Sequence, residues 1–469
     1  MLVFAVSAYL LLNLLIGFLA ARFVKNPQDF AFAGRRLPLG VATTALFATW
    51  FGSETILGAS GEFVEKGILG IIEEPLGAGL CLILVGLFFA KKLYRLNVLT
   101  INDYLGQCYG KKVEYSSAVL MIVSFFGWIA AQLLAMGFIL QTLLQIPFYW
   151  AISIGTLVVL CYTYVGGMWA ISITDFLQTI FIIVGLVFLV LQLSDILDFG
   201  KIEKSLPPDF FRFYPKNTFL DISEYIAAWA TVGLGSLASQ DVFQRVMTSK
   251  NEQTAALSAI LAGILYLTMA CLPLFIALAG KVLYPELLHE SQNILLKMVL
   301  LHSPTSVQML FFGSLLAAVM STASSTVLAP ATVLAENIIK PFLSENLQET
   351  PQVLLKIMRI SVVLTTAAGL ALGLSHQNIY ELAGGASAFT LVSLLVPLVG
   401  ALWFDARNEK AALLSMFLGL SVWLIMEFYE THFPSVLGGF LASLGGFLVP
   451  IFFEKQKKMR SIGTTQEKK

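Results

Sequence analysis

The sequence predicts an all-α polytopic membrane protein of about thirteen transmembrane helices, with a five-plus-five inverted-repeat core and a broken first helix in each repeat. Composition, the length of the apolar runs and a matching pair of interruptions predict it. Of the 469 residues, 57% are hydrophobic and 12% charged, and the mean hydropathy is +0.82. A soluble domain carries roughly 25% charged residues, so nearly all of this chain belongs in a bilayer. A net charge of zero and the lack of a basic tract argue against a nucleic-acid partner. Cys81, Cys108, Cys161 and Cys271 lie mostly in apolar runs without metal spacing and read as packing residues.

Apolar runs of at least ~18 residues place the spans at about 2–21, 39–62, 67–90, 114–145, 149–166, 174–194, 221–240, 252–281, 306–337, 357–376, 378–403, 411–430 and 434–453. The first lacks the positive leader of a signal peptide and is followed by Arg22 and Lys25, so it reads as a retained span. With the N-terminus outside, the inner segments hold 22 of the 29 basic residues, Arg245 among them, against 7 on the outer side. The expected topology is therefore N-terminus outside and C-terminus cytoplasmic. Residues 1–453 read as one transmembrane domain. The largest outer loop, about 195–220, is short and contains Pro207, Pro208 and Pro215; residues 454–469 are mainly polar and are expected to form a disordered cytoplasmic tail.

Spans two to six (about 39–194) and seven to eleven (about 221–403) form two groups of five. An odd number of spans per group makes the second copy enter the membrane from the opposite side, which is the arithmetic of an inverted repeat. The first span of each group is interrupted, by Gly52-Ser53-Glu54 in one and by Gly233, Gly235 and Ser236 in the other. Glycine inside a helix costs about 1 kcal/mol against alanine, and close helix packing can repay that. Interruptions at corresponding positions of two repeats point instead to a binding site.

The ninth span carries Ala318, Ser321, Thr322 and Ser325 at i, i+3, i+4 and i+7, one face of a helix. Such small residues suit tight helix packing. A hydroxyl stripe without His, Cys or carboxylate also suits a hard monovalent cation better than a transition metal. Near the broken helices, the candidate solute liners are Trp50, Glu54, Glu73, Glu74, Trp128, Gln132 and the segment Trp229–Gln240, with Ser239 and Gln240 at its end. A carboxylate within the membrane costs ~3 kcal/mol on insertion scales and is a functional candidate by default. With Trp50 and Trp128 the glutamates could hold an organic cation by charge and cation–π attraction. One of them could instead be protonated, as a donor or a proton-coupling group, or the pair could lie in an outer vestibule.

Three stretches, DFAFAGRRLP (29–38), YTYVGGMWAISITDFLQ (162–178) and LAAVMSTASSTVL (316–328), resemble the sodium:solute symporter family. Within it, ATWFGSE (48–54), LILVGLFFAK (82–91) and DVFQRVMTS (241–249) look most like the high-affinity choline transporter branch. The resemblance covers roughly residues 2–453 and implies a sodium site made by the hydroxyls of Ser321 and Thr322 with the carbonyls of Ala48, Phe51 and Ala318. It also implies that Asp175 lies near the sodium route to the cytoplasm; the residues themselves equally allow an N-cap at Thr174-Asp175. The branch has a tryptophan where this chain has Ser239 and an aromatic where it has Ala78, so the aromatic cage it implies is incomplete.

The expectation is a sodium-coupled secondary symporter importing a small organic solute, an amine or quaternary ammonium compound of choline's kind, without a cofactor. A proline-type or sugar symporter is the alternative. A solute sensor on the same core would need an output domain that these residues do not contain. An intramembrane enzyme would need a motif such as HExxH or GxSxG, and the spans show neither.

Overall fold

The computed structural model describes residues 2–194, 206–216, 218–284, 294–348, 350–375, 378–404 and 407–466. The principal helices of the first half are α1 (Leu2–Ala20), α2 (Leu39–Trp50), α3 (Ala59–Lys66), α4 (Ala78–Leu84), α5 (Ala90–Arg95), α6 (Ile101–Tyr109), α7 (Lys111–Leu144) and α8 (Phe148–Ser194). Those of the second are α9 (Phe219–Gly235), α10 (Gln240–Thr248), α11 (Glu252–Leu283), α12 (Ile294–His302), α13 (Thr305–Val333), α14 (Pro351–Gly373), α15 (Ile379–Thr390), α16 (Val396–Trp403), α17 (Glu409–Phe428) and α18 (Ser435–Gln466). Among the described residues the secondary structure is helical apart from one isolated bridge between Leu37 and Ser249.

Nine described helices are long and apolar enough to cross a membrane, and two shorter apolar helices cover 7–23 and 39–50. Of the four spans by which this falls short of thirteen, two are those shorter helices, one is α9, which ends after 17 residues, and one is fused to its neighbour. The expected spans 149–166 and 174–194 run together as α8, broken only at Gly167 (φ 49°, ψ −144°). A straight helix of 47 residues would be about 70 Å long, more than twice the hydrocarbon thickness, so this glycine is where the chain re-enters. A side chain there would also strike Phe30.

Both first helices are interrupted where the sequence indicates. Helix α2 stops at Trp50, Phe51 leaves the helical region (ψ 70°), and a π-turn begins at Glu54. Helix α9 stops at Gly235, passes through a 3-10 turn at Ser236–Ala238 and an extended Ser239, and restarts as α10. The core is five-plus-five, with the hydroxyl-bearing helix at its centre: 89% of the apolar window in Thr305–Phe342 is buried, against 28% and 22% in the last two helices. Those two pack chiefly on each other at the periphery.

The tail expected to be disordered is helical as far as Gln466. Residues Glu454–Arg460, EKQKKMR, are good helix formers, and their intrinsic preference continues α18. Residues 467–469 lie outside the described residues.

Gly52 sits where α2 meets α13, and a Cβ there would fall 2.5 Å from Thr322 Oγ1 and 2.9 Å from Gln132 Oε1. Gly52→Ala is expected to cost about 1–3 kcal/mol of stability through overpacking. Gly40→Ala, with nothing within 4 Å, is expected to be neutral or to gain up to about 1 kcal/mol. Thermal unfolding followed by tryptophan fluorescence compares them; equal midpoints would remove close approach as the reason for Gly52.

Candidate functional site

Two of the three expected backbone ligands meet one side chain. Thr322 Oγ1, on α13, donates at 3.2 Å to the carbonyl of Ala318 in its own helix and at 3.2 Å to that of Ala48 at the end of α2. Phe51 is the first residue past that helix and is fully buried. The donor set is all oxygen, which fits a hard monovalent cation held by Thr322 and these carbonyls. Ser321 faces elsewhere: its hydroxyl donates to Asp175 Oδ1 at 2.5 Å.

Asp175 is not an N-cap. It lies inside α8, beyond the break at Gly167, and its other oxygen faces Arg245. Asp175 Oδ2 and Arg245 Nη2 are 2.9 Å apart and both side chains are fully buried, so the contact is a buried ion pair. Arg245 also donates to Ser325 Oγ and, at 3.1 Å, to Met168 Sδ. The stripe on α13 is thus divided, with Thr322 towards Ala48, Ser321 towards Asp175 and Ser325 towards Arg245. Arg245 is not an inner-segment charge. It belongs to the core, because α10 turns it towards α8 and α13, and the basic imbalance survives its removal.

Trp50, Glu54, Glu73, Glu74 and Trp128 line one cavity, joined by Val232 and by Tyr380, Ala383, Gly384 and Ser387 of α15. The two indoles meet edge to face, with ring centroids 6.2 Å apart. Glu54 Oε2 accepts from Gln132 Nε2 at 2.5 Å and from Ser53 Oγ at 3.3 Å. Glu74 Oε1 accepts from Thr55 at 2.9 Å and from the Tyr266 hydroxyl. Glu73, against Gly384, receives no hydrogen bond or ion pair among the described residues. The enclosed space is about 20 Å³, room for about one water molecule, so a solute must push these walls apart.

Three expected liners stand outside the cavity. Gln132 lies behind it, holding Glu54 and the Ser53 amide (3.1 Å). The Ser239 hydroxyl donates to Asp241. Gln240 accepts from the Ile101 amide at 3.0 Å and donates to the Leu99 carbonyl at 3.2 Å, so as the first residue of α10 it satisfies the backbone entering α6. Sequence reasoning passed over Asp241, Arg245, Tyr266 and Tyr380. Asp241 had a signal, since an ionisable residue just after a helix break is suspect; the tyrosines lie in apolar runs and had none.

Residues 30–419 match the profile of the sodium:solute symporter family. The chain belongs to that family. It is 28% identical to human high affinity choline transporter 1 over 449 residues, covering 89% of this chain and 75% of that one. The sodium/proline symporter of Haemophilus influenzae is 24% identical over 447 residues, with 88% and 85% covered. The fold matches a substrate-bound, outward-open Na⁺-coupled sialic acid symporter with a TM-score of 0.80, covering 95% of both chains at 17% identity. That last likeness concerns fold alone. These relatives are transporters, and this member of the family is an integral multi-pass membrane protein.

Within this symporter fold, removing one partner of the Asp175–Arg245 pair strands a buried charge, which costs about 3–5 kcal/mol. Asp175→Leu and Arg245→Met are each expected to lower the unfolding midpoint strongly, and the double variant to recover part of the loss. Losses that simply add in the double variant would show that the pair is not coupled.

Proposed function

We propose that this protein is a sodium-coupled symporter that imports a small organic cation, an amine or quaternary ammonium compound of choline's class. The carrying observation is the cavity's chemistry: three carboxylates and two indoles line it, and among the described residues no basic side chain does. A cation is attracted there by charge and by the indole faces, whereas the carboxylate of proline or of an acidic sugar would meet only like charge. Glu73 is the carboxylate left for the solute, because Glu54 and Glu74 already hold protein donors. Similarity to a choline transporter supports the class; Ser239 and Ala78, where that branch is aromatic, favour a related amine as readily as choline itself.

In this reading sodium binds at Thr322, Ala48 and Ala318, with Phe51 and Ser321 turning in to complete the shell, and fastens α2 to α13. Asp175, holding Ser321, stands next on the ion's way out. Residues 1–453 form one transport domain, with the N-terminus outside and the C-terminus cytoplasmic. One sodium ion descending about 100 mV and a tenfold gradient releases roughly 3.7 kcal/mol, enough to accumulate a neutral solute several-hundred-fold; a cationic solute gains further from the potential.

Proteoliposomes loaded with KCl and diluted into NaCl should take up radiolabelled choline, and KCl outside should abolish uptake. Glu73→Gln removes one charged contact and is expected to weaken choline binding by about 10–150-fold. Uptake of proline but not of choline or tetramethylammonium would overturn the cation reading. Thr322→Ala, separately, should raise the sodium concentration for half-maximal uptake by at least about tenfold, as expected for loss of a charge-assisted contact. An unchanged sodium dependence would remove the hydroxyl stripe from the ion site.

A further inference from the structure

We infer that the half-helix α10 couples the solute cavity to the cation site, with Asp241 as the positioning residue that links Trp50 to Arg245. The inference rests on the sodium-coupled reading above. All nine residues of α10 are buried, and the helix packs against both α2 and α13. Asp241 Oδ2 accepts from Trp50 Nε1 at 2.9 Å, and its Oδ1 accepts from Ser239. Trp50 is a wall of the solute cavity and stands two residues after Ala48, whose carbonyl meets Thr322. One turn along the same face of α10, Arg245 pairs with Asp175 and donates to Ser325. Asp175 in turn holds Ser321, the neighbour of Thr322. Asp241 thus stands against the cavity wall, and Arg245, four residues on, reaches the cation site through Asp175 and Ser321.

The far end of α10 is also tied. Gln244 donates to Thr332 of α13 at 2.9 Å, and Thr248 accepts from the Leu37 amide at 3.0 Å, just ahead of α2. A buried nine-residue helix held at both ends shifts as a body, since packed cores rearrange discretely rather than deform. A solute entering about 20 Å³ must displace Trp50. Abandoning Trp50 would leave the Asp241 carboxylate with one donor fewer in a dry interior, which is the costlier outcome. Asp241 therefore follows, and Arg245 moves against Asp175 and Ser325. The reverse path carries sodium occupancy to the cavity, as linkage requires.

The test uses the full chain in nanodiscs, with choline as the probe and its dissociation constant measured in NaCl and in KCl. The wild-type ratio between the salts is expected within the about 5–150-fold range of coupled sites, and in Asp241→Leu and Trp50→Phe it should fall below about threefold. Combining the two substitutions should lower it no further, because both cut one link. A role confined to holding the fold would weaken choline in both salts alike and leave the ratio intact. Should Asp241→Leu not fold, Trp50→Phe, which keeps Asp241 and α10, decides alone. A coupled wild type whose folded variants keep their ratio overturns this inference only. A wild type that binds choline equally in both salts, or in neither, overturns the sodium-coupled cation reading, and the inference with it.

Discussion

A helix interrupted at membrane depth exposes carbonyl and amide groups that lipid cannot satisfy, so neighbouring side chains must. Both breaks in this protein meet that constraint in detail. At the first, the Trp50 carbonyl lies 3.3 Å from the Thr55 hydroxyl and 3.2 Å from that of Tyr266, which also serve Glu74, the Ala48 carbonyl accepts from Thr322, and the Ser53 amide finds Gln132. At the second, the Gly235 carbonyl accepts from Thr390 at 2.9 Å, and Ser236 and Ser387 share a hydroxyl contact at 3.2 Å. The residues that close the breaks come from α7, α11, α13 and α15, so the broken helices and the helices around them specify one another.

Ionisable groups obey the same rule at higher stakes. A buried carboxylate persists only with donors or an opposite charge. Glu54 and Glu74 are supplied by Gln132, Thr55 and Tyr266, and Asp175 by Ser321 and Arg245. Replacing such a pair with apolar residues of like volume is often neutral or stabilising, so stability alone gives no reason to keep Asp175 and Arg245 beside the hydroxyl stripe. Their position between two sites gives one. Glu73 is the exception among the cavity's carboxylates, and an unpaired acid in a cramped aromatic cavity is where a cationic ligand supplies what the protein withholds.

Most of the architecture was legible because it is written in local quantities. Run length and hydropathy mark the spans, glycine and serine clusters mark the breaks, and a 3.6-residue period puts Ala318, Ser321 and Thr322 on one face. Family membership was legible too, in DFAFAGRRLP, YTYVGGMWAISITDFLQ and LAAVMSTASSTVL. The places where the reading slipped share one cause. The N-cap alternative for Asp175 rested on an apolar run beginning beside it, yet the break falls at Gly167 and places it within the helix. Gln240 looked like a pocket residue because it follows a break, yet its amide faces the backbone at Leu99 and Ile101.

The sequence by itself determined that this is a multi-pass membrane protein with an inverted repeat, two interrupted helices and an oxygen-rich stripe at its centre, because composition and period act within single helices. Only the tertiary structure decided which hydroxyl faces which partner: Thr322 to Ala48, Ser321 to Asp175, Ser325 to Arg245, and Asp241 to Trp50. Spacing along a chain says which side chains share a face. Partners across 80 to 274 positions are set by which helices pack and how each is rotated, and no local pattern records that.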